Sequence, residues 1–222
     1  NPGTLMNFST ANAAALAPYL QAATANEATN IIEYIHGIDK QFCTGTTTAC
    51  TKDADCGGAA GSCIKYRSRT VTKGATSGVW KLGDIVTSTP KVQSPVNLNN
   101  YYTVYKDATY KDFTASSNYA NYGTAYAGAN DGMLHAFNFG VFQESWLGQN
   151  RRFEPARIVG AEADLGKERW AFIPKNVLPY LKYLTQDDYC HIFSVDASPY
   201  IFDTAINVPT GCAGDYWTCP KQ

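Results

Sequence analysis

The stretch GTAYAGANDGMLHAF, residues 123–137, constrains the fold of this chain more than any other. Two short runs, 124–127 and 133–137, flank Ala129, Asn130, Asp131 and Gly132. An Asn-Asp-Gly turn between runs of alternating aromatic and aliphatic residues is a hairpin signal. Asn and Asp tolerate positive φ, and Gly supplies it without steric cost. Turn geometry accounts for all three residues, with Asp131 capping backbone N–H groups. Further on, GKERWAFI at 166–173 is a third strand-like run with Trp170 at its centre. A hairpin, a tight turn and a Trp-bearing strand spell one blade of a β-propeller. The hairpin and the run from Glu168 to Ile173 are therefore expected in one sheet, with Trp170 docking against a neighbouring blade.

The cysteines speak to compartment. Cys43, Cys50, Cys56 and Cys63 are separated by six, five and six residues amid Thr, Gly, Ala and Asp. These spacings lack the close CxxC pairs of a zinc ribbon. We read two disulfides stapling a loop, hence an oxidising compartment. Four cysteines allow three connectivities, and all three stay open. Cys190, Cys212 and Cys219 leave one thiol over, for a partner beyond Gln222 or on another chain.

At 222 residues the chain can bury a sizeable core in one domain or two small ones. Its 18 basic and 19 acidic side chains nearly cancel and form no long like-charged block, which argues against nucleic acid as a partner. No apolar run is long enough for a transmembrane helix, and residues 1–20 lack the pattern of a signal peptide. Beginning Asn1-Pro2-Gly3, the chain reads as part of a longer protein, with a processed N-terminus as the alternative.

Three regions follow in order. Residues 1–40 form a helical segment, with Ser9 and Thr10 as possible N-caps, Pro18 and the Thr24–Asn26 region splitting it, and Gly37 stopping it. Ile31, Ile32, Tyr34 and Ile35 mark a packing side. Residues 41–79 are the cysteine loop and a flexible Thr/Gly/Ser link. Residues 80–222 are the blades: an edge strand from Leu82 to Gln93 interrupted by Pro90, then a patternless excursion at 97–122. The hairpin comes next, then an insertion at 139–165 and a short helix from Pro174 to Leu184 with Pro179 in its first turn. Two more strands are expected, His191 to Ala197 and Tyr200 to Ile206.

Taken together, LGDIV from Leu82, YAGANDGMLHAF from Tyr126 and GKERWAFIP from Gly166 resemble the PilY/PilC family of bacterial type IV pilus assembly and tip adhesin proteins. LPYLKYL from Leu178, VDASP from Val195 and IEYIHGID from Ile32 fit the same pattern, although the family usually has Arg where His36 stands. The likeness covers roughly 30–37 and 66–206, outside the cysteine loop and the 139–165 insertion. It implies a partial quinoprotein-like β-propeller; with the helical segment and the disulfide-stapled loop read above, the expected fold is mainly β. It also implies a non-catalytic protein acting in pilus assembly and adhesion, with pilins or minor pilins as partners. The implied location is extracellular, at the cell surface or pilus tip after export through the periplasm. Some members bind calcium through DxDxDxxxD. Here Asp53 and Asp55 make one such pair, but Gly57 and Ala59 follow where further oxygen ligands are needed. No cofactor is expected in this segment, and any calcium ligands would lie downstream.

Catalytic signatures are missing. His36, His135 and His191 are scattered, and His135 beside the turn reads as a satisfied structural histidine. No nucleophile elbow, no paired carboxylates in a common catalytic context and no Gly-rich phosphate loop occurs. The competing reading is a quinone-cofactor (PQQ-type) propeller dehydrogenase, because DGxxxAF and GKxxWAF occur there too. Bound quinone would show in the absorption spectrum. Six or seven strand-like runs fall short of a ring of four to eight blades. The remaining propeller is therefore expected from a further segment, in cis or in trans, that closes the open edge.

Overall fold

A computed structural model of the chain describes residues 5–143, 146–147, 153–154, 156–160 and 162–204. These form two compact units. Residues 5–86, 129–133 and 173–196 make the first, and residues 87–128, 134–172 and 197–204 the second. Secondary structure is mostly small antiparallel sheets with a few short helices and two disulfides. Among the described residues no barrel or propeller closes.

The first unit is built on the helix Ala25–Ile35. Thr24 caps it, its hydroxyl accepting from the Glu27 N–H at 3.1 Å. The Glu27 carboxylate reaches back to accept from the Ala23 N–H at 2.7 Å, so two terminal donors are satisfied reciprocally. Gly37, at φ +88°, ends the helix. The Ile38 N–H donates to the Glu33 carbonyl and the Gly37 N–H to that of Tyr34, the bond pattern of a Schellman stop. The expected break holds: a 3-10 turn Thr10–Asn12 and helix Ala13–Leu16 precede Pro18. Ser9 precedes that turn but makes no side-chain cap bond. Ala28, Ile31 and Ile32 recur at helical spacing and bury against Leu16, Leu20, Val177 and Leu181. Val177 precedes a 3-10 helix, Leu178–Thr185, that carries Leu181, with Pro179 in its first turn as expected.

Strands Gln41–Cys43 and Cys63–Lys65 pair antiparallel and frame the cysteine loop. Phe42 is buried and meets Tyr66 edge to face at 4.9 Å, and Tyr66 meets Tyr34 at 5.6 Å. The link that follows is not flexible coil. Thr70–Lys73 and Thr76–Val79 form a hairpin, with Gly74 at φ +61° in its two-residue turn. Alternating Thr and Val supply the β propensity there.

The second unit centres on a four-stranded antiparallel meander. In spatial order its strands are Lys91–Gln93, Thr124–Ala129, Met133–Asn138 and Glu168–Phe172. The hairpin and the Trp-bearing strand do share this sheet, with Trp170 opposite Ala136 and a bulge between Glu168 and Trp170. Arg169 spans it, its guanidinium donating to Thr124 Oγ1 at 3.1 Å and Asn138 Oδ1 at 2.7 Å.

Three other expectations need correction. Only Lys91–Gln93 of the run from Leu82 is a strand. Pro90 supplies no donor, and the stretch before it makes isolated bonds to the hairpin turn instead of a strand ladder. The excursion 97–122 holds three helices, Tyr101–Tyr105, Ala108–Thr114 and Ser117–Asn121. The last two are capped by Asp107 and Ser116, whose side chains accept from Tyr110 and Tyr119 N–H groups. Those two caps were the readable signal. Residues 191–204 contain no strand, and 205–206 lie outside the described residues. In the insertion after the hairpin, Val141–Gln143 pairs with Arg157–Val159 and Trp146–Leu147 with Phe153–Glu154.

Candidate functional site

The turn residues Asn130, Asp131 and Gly132 sit in a polar network of the first unit. Gly132 sits at φ +94°. Asp131 Oδ1 accepts from the Met133 N–H at 3.2 Å, while Oδ2 accepts from the Gly83 N–H at 2.7 Å. A Cβ on Gly83 would lie 2.3 Å from the Asp131 nitrogen, so only glycine lets the two backbones meet. The Asn130 N–H donates to the Asp84 carbonyl, and its amide group to the Asp84 carboxylate at 3.2 Å. Asn130 Oδ1 accepts from the Ser194 N–H at 3.1 Å. His191 Nε2 lies 2.9 Å from Asp84 Oδ2. Burial pushes the Asp84 carboxyl up, but the bonds from Asn130 and His191 outweigh it and hold it below the usual range.

The adjoining cavity measures about 10 Å³, room for one water. What the network does is pin three chain segments together: 83–84, 130–131 and 191–194.

The other histidines also have structural partners. His135 is buried, with Nδ1 2.5 Å from Glu168 Oε1, and stacks on Phe137 at 5.6 Å. His36 meets Phe8 edge to face. Trp170 packs on Tyr126 of its own sheet, centroids 5.8 Å apart, and stays 42% exposed.

In the cysteine loop the bonds are Cys43–Cys56 and Cys50–Cys63, an interleaved pairing with equal separations of 13 residues. Cys43 and Cys63 face each other across the strand pair, yet bond elsewhere. Among the described residues, the one group of three side chains at metal-binding reach is Cys43, Cys50 and Cys56, whose sulfurs these disulfides use. Cys190 is exposed and free; Cys212 and Cys219 lie outside the described residues.

Asp53 and Asp55 brace the loop. Asp53 accepts from the Cys63 and Gly61 N–H groups at 2.8 and 3.0 Å. Asp55 accepts from the Thr51 N–H and hydroxyl at 2.8 and 2.9 Å. These bonds, led by Cys63 for Asp53 and Thr51 for Asp55, hold both carboxyls below their ordinary range. A depressed folded value means the stabilisation is complete above the unfolded pKa of about 3.9 and is lost as pH falls through the folded value. Amide protection at Gly61, Cys63 and Thr51 is thus expected to hold at pH 5 and collapse in strong acid with both disulfides intact. Protection unchanged down to pH 2 would refute these roles.

A third cluster escaped sequence reasoning. The Asp203 carboxylate accepts from the Tyr110 and Tyr119 hydroxyls at 2.8 and 3.1 Å. Its carbonyl accepts from the Asn99 amide at 3.0 Å. Burial and then the Asp203 charge push the Tyr119 hydroxyl up to about 12. Tyr110 is raised for the same reasons, so both remain donors. The clamp holds a helical surface from which Tyr102, Val104, Tyr105, Phe113 and Tyr122 project exposed.

The chain is similar to three curated bacterial proteins. It is 31% identical over 136 residues to a type IV pilus biogenesis factor PilY1 homolog of Xylella fastidiosa, covering 56% of this chain and 9% of that protein. Identity with the type IV pilus biogenesis factor PilY1 of Pseudomonas aeruginosa is 31% over 127 residues, 55% of this chain and 9% of that one. A second Xylella fastidiosa PilY1 homolog is 27% identical over 132 residues, 57% of this chain and 7% of its own. The chain therefore spans less than a tenth of the length of the curated relatives it matches. No family model and no solved structure matches. The likeness, low in identity, is to PilY1-type pilus proteins.

Proposed function

We propose that this chain is a piece of a type IV pilus biogenesis protein acting in pilus assembly and surface adhesion, without turnover of small molecules. The similarity to three proteins named for PilY1 carries this reading. On it, the four-stranded meander is one propeller blade. Its strand count and order support that, and so do Trp170 and Phe172, exposed on the edge strand where a neighbouring blade would pack. The two disulfides favour an exported protein at the cell surface or pilus tip. Pilins or minor pilins are the partners. The exposed aromatics of 101–122 form the contact surface we favour, because binding concentrates on segments held by a rigid scaffold. No cofactor enters this reading. Deleting the parent gene is expected to reduce surface piliation, attachment and twitching. A deletion strain unchanged in all three would remove the assignment.

A further inference from the structure

The first unit carries a second concavity unlike the polar corner. It encloses about 370 Å³, a size suited to a side chain or small ligand. Its lining includes four cationic residues, Lys40, Lys65, Arg67 and Arg69, against one carboxylate, Asp39. They converge because strand Cys63–Lys65 runs directly into 66–69, which leads to the Thr70–Lys73 hairpin strand. Lys40 sits just before the strand paired to Cys63–Lys65.

Two of these charges are neutralised. Arg69 Nη2 lies 2.5 Å from Asp39 Oδ1, and Lys40 pairs with Glu33. Lys65 and Arg67 have no carboxylate partner among the described residues. Arg67 is nevertheless held in place. Its Nε donates to the Leu184 carbonyl at 3.1 Å, and its guanidinium lies 4.7 Å from the centre of the Tyr189 ring. On a chain of net charge −1, a concave surplus of positive charge focuses the field on anions. Burial pushes the Tyr66 hydroxyl up to about 12, so it stays a donor.

We propose that this cavity receives the carboxylate side chain of an acidic peptide bound in extended form. Lys65 offers an exposed ammonium to the carboxylate, and Arg67 adds positive charge beside it. The peptide form follows from what borders the cavity. Thr70 and Val79 line it and pair with each other in a ribbon of two strands, whose outer edges meet no other strand among the described residues. An added strand along such an edge forms main-chain bonds while its alternate side chains reach the cavity.

The test is calorimetric titration of the 222-residue chain with a capped hexaglutamate peptide, glucuronate and sodium sulfate at low salt. Hexaglutamate is expected to bind, and Lys65→Glu to weaken it about tenfold. Lys65→Gln should give a smaller loss, and Lys111→Glu in the other unit none. Near-ultraviolet circular dichroism checks that each variant is folded. Absence of hexaglutamate binding, equal binding by Lys65→Glu, or glucuronate or sulfate binding as tightly as the peptide would each overturn the proposal.

Discussion

Replacing Cys50 and Cys63 with serine is expected to destabilise the first unit by about 3 kcal/mol, and replacing Cys43 and Cys56 by a similar amount. Each disulfide closes a loop spanning 13 residues, and the chain entropy removed from the unfolded state sets that scale. The loss reaches beyond the loop because the loop is docked. Asn30 donates from its side chain to the Thr46 carbonyl at 2.7 Å, and Asn26 to that of Gly45 at 3.1 Å. Phe42 and Tyr66 continue the contact toward Tyr34 on the helix Ala25–Ile35. The midpoint of thermal unfolding should fall by roughly 6–12 °C for either double variant under non-reducing conditions. A melt superimposable on wild type would mean the loop is an ornament with no bearing on the helix beneath it.

Leu181→Ala is expected to cost about 3 kcal/mol, within the range for truncating a fully buried leucine. Leu181 is 1% exposed and inserts from the 3-10 helix among Leu16, Leu20, Ile31 and Ile32. Its surroundings have little freedom to collapse. A Cβ on Gly132 would lie 2.8 Å from Leu181 Cδ2, so backbone already presses on one side of it. Val71→Ala is the contrast: the valine is 54% exposed on the Thr70–Lys73 strand, and its loss should stay within about 0.5 kcal/mol. Urea unfolding compares the two. A Leu181→Ala variant within 1 kcal/mol of wild type would show that this cluster is not the core.

What could be read in advance was local. Asn130, Asp131 and Gly132 specified the hairpin: Gly132 takes the positive φ that closes so short a turn, while Asp131 contributes by accepting the Met133 N–H rather than by its own φ. Thr24, Glu27 and Gly37 likewise bounded the helix Ala25–Ile35. The cysteines announced disulfides by spacing and surroundings. The helices at 108–114 and 117–121 went unread because Tyr and Asn dilute any apolar period, although Asp107 and Ser116 stood at their caps. Over the described residues 191–204 the expected strands failed in the opposite way: their β-rich composition was real, but composition cannot provide a partner strand.

Sequence alone determined where this chain turns, caps and cross-links, since those depend on neighbours a few residues apart. Only tertiary structure decided which of the three disulfide pairings formed. It alone brought Asp203 under Tyr110 and Tyr119, and Asp131 onto the Gly83 backbone, across 93, 84 and 48 residues. It also set Lys65 and Arg67 around one cavity, neither of them ion-paired with a carboxylate among the described residues. Each of these depends on desolvation and packing among groups distant in sequence, and no local periodicity records which of them will meet.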